Sequence, residues 1–157
     1  MNEEEQLKNY FDMVDVTFQA GNYQESYQWC NKILELNPNI GLAVALQGKS
    51  ILFMSTAQNP NFEEAYNYYE SAFNLISENL NQDNSFLKNK SAEFIENFNV
   101  IVARDFSTKF LELYEEIKNN GNYQKREEFL LSCEFLTVAF FQYVLVKDPK
   151  IEYAKIL

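Results

Sequence analysis

Along most of this chain apolar side chains recur at spacings of three and four, and the interruptions carry turn chemistry. The stripe Leu7, Tyr10, Phe11, Val14, Thr17 and Phe18 predicts a helix over residues 5–20. Gly21 follows, where a helix turns off most cheaply through positive φ. Asn22 is the expected N-cap of a second helix over 23–36, with Glu25 completing a reciprocal capping pair and Tyr27, Cys30, Ile33 and Leu34 facing inward. Trp29 stands beside that stripe, toward the following helix. Asn37 and Pro38 end the segment, because proline has no amide donor and restricts the residue before it.

A third helix is expected over 40–56, carrying Leu42, Val44, Ala45, Ile51, Leu52 and Phe53. Gly48 lies inside it at a cost of roughly 1 kcal/mol relative to alanine; a close helix crossing accounts for that choice, with a surface glycine as the plainer alternative. Gln58, Asn59 and Pro60 make the next break, and Asn61 with Glu64 opens a helix holding Phe62, Ala65, Tyr69, Ala72, Phe73 and Ile76. Residues 79–85 read as a linker too short to force two independent domains apart. Beyond it Phe94, Phe98, Ile101, Phe106, Phe110, Leu113, Tyr114 and Ile117 continue a stripe with neither Gly nor Pro. One helix over 87–119, about 50 Å long, is expected, with Arg104 and Asp105 as the place for a bend or a division.

The tetrapeptide Gly-Asn-Tyr-Gln at 21–24 recurs at 121–124, and a helix over 123–146 follows the second copy. Its part 133–146 is apolar around most of its circumference, as in a helix central to the core or pressed against another copy. Asp148 and Pro149 begin a short terminal helix. The expectation is a single all-α domain over 1–157, with antiparallel hairpins in 5–78, a long helical hairpin in 86–147 and a terminal helix in 149–157.

Composition narrows the function classes. A chain of 157 residues that is 46% hydrophobic and 16% aromatic buries a continuous core and is not disordered. The formal charge is -10, and it is uneven: three lysines face twelve carboxylates in 1–85, while ten bases face eleven acids in 86–157. No basic stripe exists to neutralise phosphates, so a nucleic-acid partner is disfavoured. A basic partner would dock on the amino-terminal half. Cys30 and Cys133 read as reduced core residues. The acidic start lacks a signal-peptide pattern and no stretch has eighteen uninterrupted apolar residues, so a cytoplasmic protein without membrane insertion is expected.

Gly21, Tyr23, Ser26, Tyr27, Ile33, Leu34, Leu36 and Pro38 make residues 7–40 resemble the tetratricopeptide repeat family, whose unit is two antiparallel helices in about 34 residues. Tyr10 stands where that family has tryptophan, while Met13, Val14 and Thr17 depart from its leucine, glycine and tyrosine. A second unit over 41–75 is similar through Gly48, Phe62, Ala65, Tyr69 and Ala72, with a longer connection between its helices. The resemblance covers roughly half the chain. It implies a short α-solenoid whose first helices line a peptide-binding groove. The implied groove residues are Lys8, Phe11, Asp12, Asp15, Phe18 and Gln19, then Leu42, Ala45, Leu46, Lys49, Leu52 and Phe53. Aspartates and apolar groups stand where the chaperone-binding subclass has its carboxylate clamp, so that subclass is not expected. If the long carboxy-terminal helices leave this groove open, Phe11, Phe18 and Phe53 bury an apolar ligand group while Asp12 and Asp15 orient a basic one; ordinary packing of the rings within the chain is the stronger reading.

No chemical signature competes with this reading. The chain has no histidine, no paired cysteine spacing, no phosphate loop and no calcium loop, so neither cofactor nor metal is expected. Glu63-Glu64, Glu115-Glu116 and Glu127-Glu128 read as solvated helix faces. The expected function is a noncatalytic adaptor, scaffold or assembly subunit binding a protein or peptide. A small helical enzyme or ligand carrier using Asp15, Glu96 or Asp105 and a structural homo-oligomer through 133–146 are the alternatives.

Overall fold

The computed structural model describes residues 1–82, 85–119 and 123–132. Regular structure within them is helical: α1 Glu3–Gln19, α2 Tyr23–Leu36, α3 Gly41–Phe53, α4 Phe62–Asn79, a single 3-10 turn Leu80–Gln82, α5 Ser85–Glu96, α6 Phe98–Asn119 and α7 Tyr123–Ser132. The chain packs as two compact units. One comprises Met1–Met54 and Glu64–Phe98; the other comprises Ser55–Glu63 and the chain from Asn99 onward. The residues 121–122 of the repeated tetrapeptide, the apolar stretch 133–146, Cys133 and the segment 149–157, where a terminal helix is expected, lie outside the described residues.

Local chemistry sets the helix ends of the first unit. Asn2 and Glu5 form a capping box: Oδ1 of Asn2 accepts the Glu5 amide at 2.8 Å, and the Glu5 carboxylate accepts the Asn2 amide at 3.4 Å. Gly21, at φ 81°, lets the chain leave α1 in a Schellman closure. Its amide donates to the Phe18 carbonyl at 3.0 Å, and the Asn22 amide donates to that of Thr17 at 2.9 Å. Asn22 does not make the expected side-chain cap. Its ψ of 67° departs from the extended geometry that aims an N-cap side chain at the next turn. At the far end of α2, Asn37 is extended ahead of Pro38, and its Oδ1 accepts the Asn39 amide at 2.9 Å in an Asx turn.

Helices α1 and α2 form an antiparallel hairpin, since the residues that meet rise in number along one helix as they fall along the other. Phe18 meets Tyr23, Ser26 Oγ donates to the Val14 carbonyl at 3.1 Å, and Tyr10 meets Trp29. The Trp29 ring thus contacts the preceding helix, with the Lys32 ammonium 4.0 Å from its centroid. Helices α3 and α4 pair in the same sense. Gly41 faces Ala72 and Ile76, while Gly48, two turns on, faces Ala65, Tyr68 and Tyr69. A Cβ on Gly48 would lie 2.8 Å from the Tyr68 Cβ and 3.1 Å from the Ala65 carbonyl oxygen, so this glycine marks a close crossing. Between the hairpins, Gln47 donates to Asn31 at 2.6 Å and the Tyr27 and Tyr68 hydroxyls meet at 3.2 Å.

The core of this unit includes Leu7, Phe11, Val14, Cys30, Ile33, Ile40, Ala43 and Leu87. The interruption between α5 and α6 falls at Asn97, and α6 continues through Arg104 and Asp105, where the sequence pattern places a bend. Both the amide and the side-chain nitrogen of Asn97 donate to the Glu93 carbonyl, at 2.9 and 3.1 Å. The amide bond is the last rung of the α5 ladder, and the side-chain bond puts a second donor on the same carbonyl.

In the second unit, Phe62 packs edge-on to Phe106 with centroids 5.9 Å apart, and Phe129 of α7 stacks on Phe110 at 5.5 Å. Ser55 Oγ accepts the Asn61 amide at 2.9 Å, which closes the loop before α4. Along α6, Val102, Ala103, Phe106, Phe110, Leu113 and Ile117 are buried together with Asp105, Ser107 and Lys109.

Candidate functional site

The groove expected between the first helices of the two hairpins is the surface between α1 and α3. These helices run in the same direction: Phe18, near the end of α1, meets Phe53 at the end of α3, and the Lys49 ammonium lies 4.8 Å from the Phe18 centroid. Phe18, Tyr23 and Phe53 form a ring triad with centroid separations of 5.0, 5.1 and 5.7 Å. All three rings remain half-buried, so the triad is an accessible aromatic shelf. Tyr23 is not among the groove residues expected from sequence, although it and Phe18 flank the Gly21 turn.

The other groove candidates divide by exposure. Asp12, Asp15 and Gln19 lie exposed along one flank of α1 beside Val16, which is 60% exposed. No ion pair to Asp12 or Asp15 occurs among the described residues. Leu42 and Leu46 are half-buried against the core, whereas Ala45 and Leu52 are buried within it and present no side chain to a partner. Phe11 is also buried. Its ring meets Phe86 of α5 at 5.9 Å, and the exposed Lys8 places its ammonium 5.4 Å from the Phe86 ring while pairing with Glu4 at 3.7 Å. Phe86 is absent from the sequence candidates, because no local pattern reveals a contact between chain segments so far apart.

The groove is therefore built unevenly. Over the first half of α1, at Lys8 and Phe11, it is covered by Phe86. Toward their ends it offers an aromatic shelf bordered by carboxylates. A further open recess of about 660 Å³ is lined by residues 21–25 with Gln28 and Met54. Its one ionisable carboxylate, Glu25, gives it no acid–base pair.

Cys30 is fully buried and outside any disulfide, and burial pushes its thiol up to about 12, so at neutral pH it is no nucleophile. The Tyr27 phenol is raised to about 12, first by its hydrogen bond with Tyr68 and then by burial. The six glutamates of the pairs 63–64, 115–116 and 127–128 are exposed, as solvated faces. Asp15 and Glu96 are exposed as well, while Asp105 is buried within α6. Among the described residues no three His, Cys, Asp or Glu side chains are grouped to hold a metal ion, and no helix is long and apolar enough to cross a membrane.

No family model matches the chain, and comparison with curated proteins and with solved structures finds no match.

Proposed function

We propose that this chain is a noncatalytic protein-interaction module, a tetratricopeptide-like pair of helical hairpins serving as an adaptor or assembly subunit in a cytoplasmic setting. The observation that carries the reading is the aromatic shelf of Phe18, Tyr23 and Phe53 beside the exposed carboxylates of Asp12 and Asp15. A shelf of rings supplies apolar area at low conformational cost, and neighbouring carboxylates select a basic residue over an acidic one. The antiparallel pairing of α1 with α2 and of α3 with α4, and the common direction of α1 and α3, support the repeat-like arrangement.

The partner is a peptide or helix combining an apolar side chain with lysine or arginine. The test is affinity capture from native extract with wild-type protein and with the variants Asp12→Asn/Asp15→Asn and Phe18→Ala. Loss of the same specific partner from both folded variants is the expected result. Retention of every partner would remove the groove from consideration.

A further inference from the structure

We infer that Phe86 is a built-in occupant that closes the start of the α1–α3 groove and so restricts an external partner to a short basic segment on its far end. The inference rests on the docking surface proposed above and adds its limit. Phe86 projects from the first turn of α5, whose neighbouring Leu87 is 4% exposed and part of the core cluster. That anchorage fixes where the ring goes. It lies edge-on to Phe11, and the ammonium groups of Lys8 and Lys90 stand 5.4 and 5.3 Å from its centroid. A ring against Phe11 is what a partner's apolar side chain would otherwise supply, and the Lys8 ammonium of α1 adds cation–π attraction that holds it there, while Lys90 stands on the ring's own helix.

Charge favours a basic ligand on the open part of the α1 flank. The exposed carboxylates of Asp12 and Asp15 attract one there, whereas Lys8 is paired with Glu4 at the closed part and Lys49 sits over the Phe18 ring, so the attraction is confined to the α1 side of the shelf. From Asp12 to Gln19 the flank of α1 measures about 10 Å, and from Lys8 to Gln19 about 16 Å, at the usual rise per residue. The open part spans about three extended residues or two helical turns. A partner's contact is thus a short segment whose chain leaves the groove at Phe86.

Two measurements test this. In the first, Leu42→Cys is introduced beside Cys133→Ser, and maleimide labelling is followed with Phe86 or Phe86→Ala; Leu42 packs on the same cluster as Phe86. Labelling of residue 42 should quicken about tenfold on removal of the ring while the buried Cys30 stays unlabelled. Equal rates overturn the closure. If Cys30 labels in step, the variant has opened globally, and Phe86→Leu, which keeps an apolar contact, must then accelerate labelling at 42 alone; failure to do so also overturns the closure.

The second measurement uses fluorescein-labelled tripeptide and hexapeptide probes of alternating lysine and leucine, about the extended lengths of the open part and of the whole flank. Wild-type protein should bind both within about twofold, and Phe86→Ala should tighten only the hexapeptide, by about tenfold. Unchanged affinity for both probes in the variant refutes Phe86 as the limit. Failure of Asp12→Asn/Asp15→Asn to weaken a bound probe, or no binding by any form, sinks the docking surface itself while the labelling rates still decide the closure.

Discussion

Replacing Gly48 by alanine sets two effects of opposite sign against each other. In an unhindered helix interior the change stabilises by about 1 kcal/mol through backbone entropy. Here the new Cβ would stand 2.8 Å from the Tyr68 Cβ and 3.1 Å from both the Ala65 carbonyl oxygen and Tyr69 Cδ2. Ordinary carbon contacts begin near ~3.5 Å, so α3 and α4 must separate by several tenths of an ångström. The first two obstacles are a Cβ and a backbone atom, which cannot swing aside as a side-chain tip can. Overpacking of this kind costs about 1–3 kcal/mol, and after the gain of about 1 kcal/mol the net expectation is destabilisation by up to about 2 kcal/mol.

Urea titration monitored by fluorescence measures this directly, because the lone tryptophan, Trp29, packs on Tyr10 within the same unit. The midpoint should fall without a change in slope. At Gly21 the same substitution meets no atom within 4 Å but sits at φ 81°, so it should destabilise through backbone strain instead. The distinction appears in Gly→Asn exchanges: Asn is tolerated at 21, where left-handed backbone suits it, and is worse than alanine at 48. A Gly48→Ala protein more stable than wild type would refute the close crossing.

Three further outcomes follow from buried or capping groups. Ser50 Oγ is buried without a hydrogen-bond partner among the described residues, so Ser50→Ala should leave stability unchanged or raise it by about 1 kcal/mol in the same titration. Asn2→Ala removes the α1 capping box and should cost about 1 kcal/mol, with amide exchange accelerated first in residues 3–6. For Cys30, the folded thiol titrates at about 12 against a reference of 9.0, so its contribution is full below pH 9 and is lost as pH rises toward 12. Urea midpoints at pH 8 and 10.5 should therefore converge between wild type and Cys30→Ala, whereas a constant gap would contradict a thiol kept protonated by burial.

The limits of the sequence as a guide are visible in two segments with the same spacing of asparagine and glutamate. Asn2 and Glu5 form a reciprocal cap, while Asn22 and Glu25 do not. At Asn2 the backbone is extended, with ψ 167°, and the side chain is free to fold over the first turn. At Asn22 the amide is already held by the Thr17 carbonyl, because Gly21 has closed the preceding helix. The pattern is local, but its outcome depends on what lies one residue upstream. By contrast, α2 begins and ends where expected, since Gly21 and Pro38 impose backbone constraints that few neighbours can override. Asn97 carries no such constraint, and its side-chain bond to Glu93 is of the kind that Thr108 makes to Arg104 inside α6 without a break, so hydrophobic periodicity runs through the end of α5 unmarked.

The candidate site shows the same division between local and distant information. Phe18, Lys49 and Phe53 are legible because equivalent positions on two similar hairpins fall side by side when α1 and α3 run in the same direction. Phe86 is not, because its meeting with Phe11 depends on the path of the chain after α4. That one contact changes the meaning of residues expected on the groove: Phe11 becomes part of a filled interior, while Asp12, the next residue, remains exposed. Two neighbours in sequence thus take opposite roles: helical phase turns Asp12 to solvent, while Phe11 joins the core cluster against which the ring arriving from α5 packs.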